Sequence, residues 1–151
     1  MTQLNHTAMR QPVHPTITSS QIDELVDEFY RKVRSDAVLG GLFEHNMTAA
    51  WDVHSVTMKS FWRAVLLKTG EYKGKPVPAH QKIDGLTRLD FHRWLELFDH
   101  TVKECIDPAA GSAVAEIARR IATSLWMSRS MDPMLDPPVW PEWTDHPPHD
   151  Q

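Results

Sequence analysis

The chain has 151 residues, 41% hydrophobic and 24% charged, which favours one globular domain over a disordered or multidomain chain. A net charge of -4 without a basic stripe argues against nucleic acid or an anionic membrane as partner, and the single cysteine, Cys105, excludes an intrachain disulfide and a cysteine-based zinc site. The N-terminal stretch lacks the apolar segment of a signal peptide, and no apolar run approaches the roughly 20 residues that span a bilayer, so a soluble, cytoplasmic protein is expected.

Residues 1–18 are polar, contain Pro12 and Pro15 and show no periodicity; they read as a loose arm carrying a solvated His6 and His14. A first helix is expected to start near Ser20, with Ser20 and Asp23 forming its capping box. Ile22, Leu25, Val26, Phe29 and Val33 then recur at helical spacing, with Tyr30 at the edge of that stripe, where a rim tyrosine with a wet hydroxyl is the simplest reading. Gly40 and Gly41 break the pattern, and Leu42 and Phe43 fall in a short connector.

The next helix carries Trp51, His54, Ser55, Met58, Phe61, Trp62, Val65 and Leu66 on one face. His54 interrupts an otherwise apolar and aromatic surface, and burying an unpaired imidazole there costs free energy. Taken alone it is better explained as a core histidine bonded to a carbonyl, or as one at the rim. Gly70 is expected to end this helix. Pro76 and Pro78 then hold the chain extended up to His80, which on its own reads as a solvated loop histidine.

Asp90 is a plausible N-cap for a second strongly amphipathic helix bearing Phe91, Trp94, Leu95, Phe98, Val102 and Cys105 on one face, with His92 and His100 outside it. Asp107, Pro108 and Gly111 bracket a turn, and Val114, Ile117, Ala118, Ile121 and Leu125 mark a last helix to about Ser128. From Met131 the proline density excludes packed helix or strand, leaving an extended tail that Trp140 and Trp143 are suited to staple to the surface. The organisation is thus an arm (1–18), an all-α domain (19–130) and a proline-rich tail (131–151).

No nucleotide-binding glycine motif, zinc-protease motif or serine-nucleophile motif is present. What remains is His54 and His80 on a helical frame, with aromatics around an apolar slot. That combination suggests a flat iron cofactor.

The segments FYRKVRSDAVLGGLF, the His54 and Phe61–Trp62 pattern, YKGKPVPAH and DFHRWLELFDHTV resemble the truncated hemoglobins, and most closely their group III branch. The spacing from Tyr72 through His80 to Phe91 and Trp94 is the specific part, and the resemblance runs from about Ile17 to Met127. It implies a truncated globin-like two-over-two helical sandwich around a b-type heme with its iron. By position it makes His80 the proximal iron ligand and Tyr30, His54 and Trp94 the distal polar cluster. It makes Phe43 the connector residue packed on the heme, and Met58, Trp62 and Phe91 pocket-lining residues. No propionate partner is assigned.

The expected ligands are O2, CO, NO or peroxide. A phenol O–H and an indole N–H aimed at a ligand that gains negative charge would each contribute roughly 1.5–3 kcal/mol, which is about 10–150-fold in affinity. Such donors slow oxygen release, so nitric oxide dioxygenase-like or peroxidase-like chemistry, with an unidentified reductase, competes with an oxygen carrier or storage role. His54 has a further reading as a gate or internal sixth ligand. Against all of these stands a cofactor-free helical interaction module.

Overall fold

The computed structural model describes residues 11–46, 50–72, 74, 76, 83, 85–129, 134 and 136–144. Five helices and no strand occur among them: α1 (Ser19–Ser35), α2 (Leu39–Asn46), α3 (Trp51–Leu67), α4 (Arg88–Cys105) and α5 (Pro108–Arg129).

Helix α1 begins at Thr18, not at the expected Ser20. Thr18 is extended (φ -117°, ψ 157°), and its Oγ1 accepts from the Gln21 amide while Gln21 Oε1 accepts from the Thr18 amide, at 3.1 and 3.0 Å. This reciprocal box satisfies two amides at the helix start, and Ser20 already lies inside the first turn. The apolar stripe is buried as its spacing predicts, and Tyr30 is buried with it at 7% exposure. Burial of Tyr30 corrects the reading of a rim tyrosine.

The described end of the arm is anchored rather than loose. The Val13 amide donates to the Leu66 carbonyl at 2.9 Å, Ile17 is 5% exposed, and half-buried His14 places Nδ1 3.0 Å from Thr16 Oγ1. His6 lies outside the described residues.

The stretch expected to be a connector is helix α2. Asp36 starts it by accepting from the Val38 and Leu39 amides at 3.1 and 2.9 Å, and Gly40 lies buried inside it. A Cβ on Gly40 would meet the Arg34 carbonyl oxygen at 2.8 Å, so the glycine is there for close approach to the end of α1 and not as a helix breaker. Helix α3 ends before Gly70, because Lys68 takes the left-handed cap conformation itself (φ 63°). The N-cap of α4 is Thr87; Asp90, expected in that role, is the third helical residue and completes the box by accepting from the Thr87 amide at 2.8 Å. Helix α5 starts at Pro108, where the missing N–H costs nothing, so Gly111 lies within the helix and not in a turn.

Helices α1 and α3 pack together, α4 and α5 pack together, and α1 crosses onto α4. This is the truncated-globin two-over-two arrangement, with α2 against α1 and α4. The core centres on Phe29, Trp62 and Phe98; Trp62 stacks on Phe98 at 4.9 Å, and Phe29 meets Phe98 edge-on at 5.3 Å. Thr101, a fully buried polar residue, turns its hydroxyl back to the Leu97 carbonyl at 2.7 Å. No helix among the described residues is long and apolar enough to cross a membrane.

Candidate functional site

The two helix pairs leave a cavity of about 430 Å³ between them, within the size range of small-molecule and cofactor sites. Helix α1 contributes Tyr30; α2 contributes Leu42, Phe43 and Asn46; α3 contributes His54, Met58, Phe61 and Trp62. Phe91 and Trp94 come from α4, and Ile121, Ala122 and Leu125 from α5. Most of these side chains are hydrocarbon. Val53 and Thr57 also line the cavity while being exposed on α3, so it opens to solvent along that helix.

Two of the polar lining residues sit together. Tyr30 and His54 meet edge-on with ring centroids 5.0 Å apart. Phe43 and Trp51 close around them: both rings lie within 6 Å of His54, and they stack on each other at 5.7 Å. The Nε2 atom of His54 is buried. Helical spacing alone brings His54 and Met58 to the same wall, one turn apart. Trp94 approaches from α4, edge-on to Phe29 at 5.4 Å and parallel to Phe98 at 5.3 Å. Phe29 in turn touches Tyr30 at 4.9 Å, so one ring buttresses both the tyrosine and the tryptophan.

Burial pushes the Tyr30 phenol well above its ordinary value of 10.0, because the phenolate would be desolvated. Tyr30 therefore stays protonated, a hydrogen-bond donor at any physiological pH. The Asp90 carboxylate also lines the cavity, and its Oδ2 serves the α4 cap, accepting from the Thr87 hydroxyl at 3.0 Å and from the Thr87 amide at 2.8 Å.

Of the residues singled out from sequence, Tyr30, Phe43, His54, Met58, Trp62, Phe91 and Trp94 all line this one cavity. His80 lies outside the described residues. Pro76 and Ile83, the described residues that bracket it in the chain, both line the cavity. Leu42, Asn46, Tyr72, Leu86 and the α5 trio are lining residues that periodicity did not single out. Ile121 and Leu125 sit on the predicted apolar stripe and Ala122 beside it, but nothing in a single stripe separates a residue facing a cavity from one facing the core. Tyr72 belongs to the YKGKPVPAH segment, and its ring meets Phe61 edge-on at 5.1 Å. Among the described residues no group of three or more His, Cys, Asp or Glu side chains is placed to hold a bare metal ion.

No protein-family profile matches the chain. A group 3 truncated hemoglobin of Campylobacter jejuni is 29% identical over 111 residues, covering 72% of this chain and 87% of that protein. The crystal structure of a group III truncated hemoglobin from the same species superposes with a TM-score of 0.72 at 26% identity, covering 78% of this chain and 95% of that one. The resemblance carried by the sequence motifs thus holds along most of the chain and in three dimensions.

Proposed function

We propose that this chain, which has the fold and sequence character of a group III truncated hemoglobin, is a heme protein that binds diatomic ligands. The observation that carries the reading is the cavity: a largely apolar slot in which Tyr30 and His54 meet, with Trp94 also in the lining. The residues present fit a heme. The hydrocarbon walls suit a porphyrin ring, and the open edge at Val53 and Thr57 suits its carboxylates. Among the described residues, no Lys or Arg lines the cavity and no cluster of side chains would hold a bare metal ion.

In this reading His80, in the chain between Pro76 and Ile83, would hold the iron through a ring nitrogen. When bound, the heme supplies reversible coordination of O2, CO or NO and one-electron chemistry on oxygen, nitric oxide or peroxide. The chain's own residues set the outcome. Tyr30 donates its O–H, which burial keeps protonated. Trp94 offers an indole N–H that can only donate. His54 either donates beside Tyr30 or gates the entrance. Phe43, Met58, Trp62 and Phe91 exclude water and hold the ring. Several donors on one ligand favour retention over release, so redox chemistry with an external reductase is preferred to carriage.

Titrating the purified chain with hemin tests the reading. Wild type is expected to saturate at one equivalent with a Soret band, and His80→Ala to bind more weakly with an altered spectrum. A wild-type chain that takes up no hemin would leave a cofactor-free helical module as the better account. Fast oxygen release from a hemin-loaded, reduced chain would favour the carrier.

A further inference from the structure

The described part of the C-terminal tail, residues 136–144, has no helix or strand, yet it is fixed to the helical body at three places. Trp140 donates from Nε1 to Thr123 Oγ1 at 2.8 Å and lays its ring against Phe91 and His92, with centroids 5.9 and 5.2 Å away. The next carbonyl, that of Pro141, accepts from Nε and Nη2 of Arg119 at 2.9 and 2.7 Å. Arg119 is itself gripped by both oxygens of Asp99, at 3.0 and 2.6 Å. Trp143 then seats on α5 at Gly111, where a Cβ would come within 3.0 Å of the ring, and under Lys103 Nζ at 5.0 Å.

An extended segment without internal hydrogen bonds loses conformational entropy when it is ordered, and only specific contacts compensate that loss. Here the contacts cluster at positions 140, 141, 143 and 144, the last accepting at Oγ1 from Lys103 Nζ at 3.3 Å. The first of them reaches the site from behind. Phe91 is 5% exposed; it lines the cavity, and it is also backed by Trp126 at 6.0 Å and by Trp140. The tail lies past Met127, where the motif resemblance ends.

The geometry points to residues 136–144 as a strap that sets the cavity's α4 wall, with Trp140 a positioning residue acting through Phe91 and Arg119 the latch that holds the strap down. A loosened strap lets the Phe91 ring back away from the slot and widens it. The Trp143 anchor lies toward the other end of α4 and the start of α5, away from Phe91. The strap itself goes beyond the heme reading, but its optical readout rests on that reading.

The test compares full-length Trp140→Ala, Trp140→Phe, Trp143→Ala, Phe91→Leu and the double variant Trp140→Ala/Phe91→Leu. The first readout is hemin dissociation into an excess of an apoglobin acceptor. The second, made without hemin, is amide hydrogen exchange across Phe91–Leu95. Trp140→Ala is expected to speed hemin loss several-fold and to raise exchange over those amides. Trp140→Phe should recover most of the loss, and Trp143→Ala should leave both readouts near wild type. The double variant should lose hemin little faster than Phe91→Leu alone, because coupled neighbours are not additive. Wild-type rates in Trp140→Ala, or additive effects in the double variant, would overturn the proposal. Should Trp140→Ala not fold, Trp140→Leu is read in the same way. If wild type binds no hemin, the heme reading fails, and the exchange measurement alone decides the strap.

Discussion

Tyr30 shows how depth sets the chemistry of one side chain. Its place at the edge of a helical stripe does not distinguish a wet hydroxyl from a buried one. It is buried because Phe43 and Trp51, from two elements further along the chain, fold over it. Burial then fixes its protonation, so its donor role is independent of pH up to and beyond its ordinary value of 10.0. Tyr30→Phe removes that donor at almost no change in shape. It is expected to speed oxygen release by about 10-fold or more, which is the equivalent of losing roughly 1.5–3 kcal/mol from a charge-assisted hydrogen bond. Trp94→Phe should act in the same direction. Stopped-flow oxygen displacement measures both, and unchanged rates in both variants would mean that the donors point elsewhere. Cys105 is a contrasting residue. Burial first, then the carboxylates of Glu24, Glu104 and Glu28, push its thiol up to about 12. It should resist alkylation in the native protein at pH 8 and react only on unfolding, as read by mass spectrometry. That agrees with its reading from sequence as a small core hydrophobe.

At the scale of elements, α2 is the instructive case. Two consecutive glycines in a short stretch read as a break, and the residues that follow as connector. They form a helix because Asp36 caps it, and because Gly40 lets it approach α1 so closely that any Cβ would strike the Arg34 carbonyl. Tertiary contact overrides propensity there. The two glycines should therefore behave oppositely on substitution. Gly40→Ala is expected to destabilise by roughly 1–3 kcal/mol through overpacking. Gly41→Ala meets no atom within 4 Å and should be neutral or stabilising by about 0.5–1 kcal/mol. Urea unfolding of the pair checks the difference.

Asp36 also ties α2 to α4, since Arg93 Nε reaches its carboxylate at 2.7 Å and that side chain is only 6% exposed. The Arg93 contact, helped by the Leu39 and Val38 amides, holds the Asp36 carboxyl below its ordinary value of 3.8. A depressed carboxylate contributes stability that is complete above 3.8 and is lost as pH falls through the lower folded-state value. Asp36→Asn keeps a competent cap but loses the charge pair. Its deficit against wild type should be constant near neutral pH and should close below pH 3.8. A deficit that persists unchanged in acid would assign it to capping alone. Both capping boxes were present in the sequence as Thr18–Gln21 and Thr87–Asp90, but Ser20–Asp23 offered a competing box and Asp90 a competing single-residue cap. Only backbone conformation, which no residue list contains, separates such candidates.

For the whole molecule, the order of the long helices and their buried faces was legible, because each stripe repeats at helical spacing over 17 or more residues. The convergence of Tyr30, His54, Trp62 and Trp94 on one cavity was legible only through the resemblance, since periodicity says which face is apolar and not which faces meet. The tail was read as extended, with Trp140 and Trp143 suited to staple it. Its grip on Pro141 through Arg119 was invisible, because periodicity does not separate an arginine that faces solvent from one that faces a tail. In the folded chain Arg119 and Asp99 are 16% and 14% exposed. Removing the arginine strands a nearly buried carboxylate, so Arg119→Met should cost about 3 kcal/mol, near the lower end for breaking a buried pair. For a chain of this size that is about 6–12 °C in Tm, and differential scanning calorimetry reads it.

The central claim is that the cavity holds a heme whose open face is governed by Tyr30, His54 and Trp94. The most direct test is the ultraviolet–visible spectrum of the hemin-loaded chain, ferric, then dithionite-reduced, then under carbon monoxide. The account predicts a Soret band that moves when carbon monoxide is added to the reduced protein, with the reduced spectrum before gas showing whether His54 occupies the sixth position. A chain that stays colourless with hemin, or a reduced spectrum that does not respond to carbon monoxide, would contradict it.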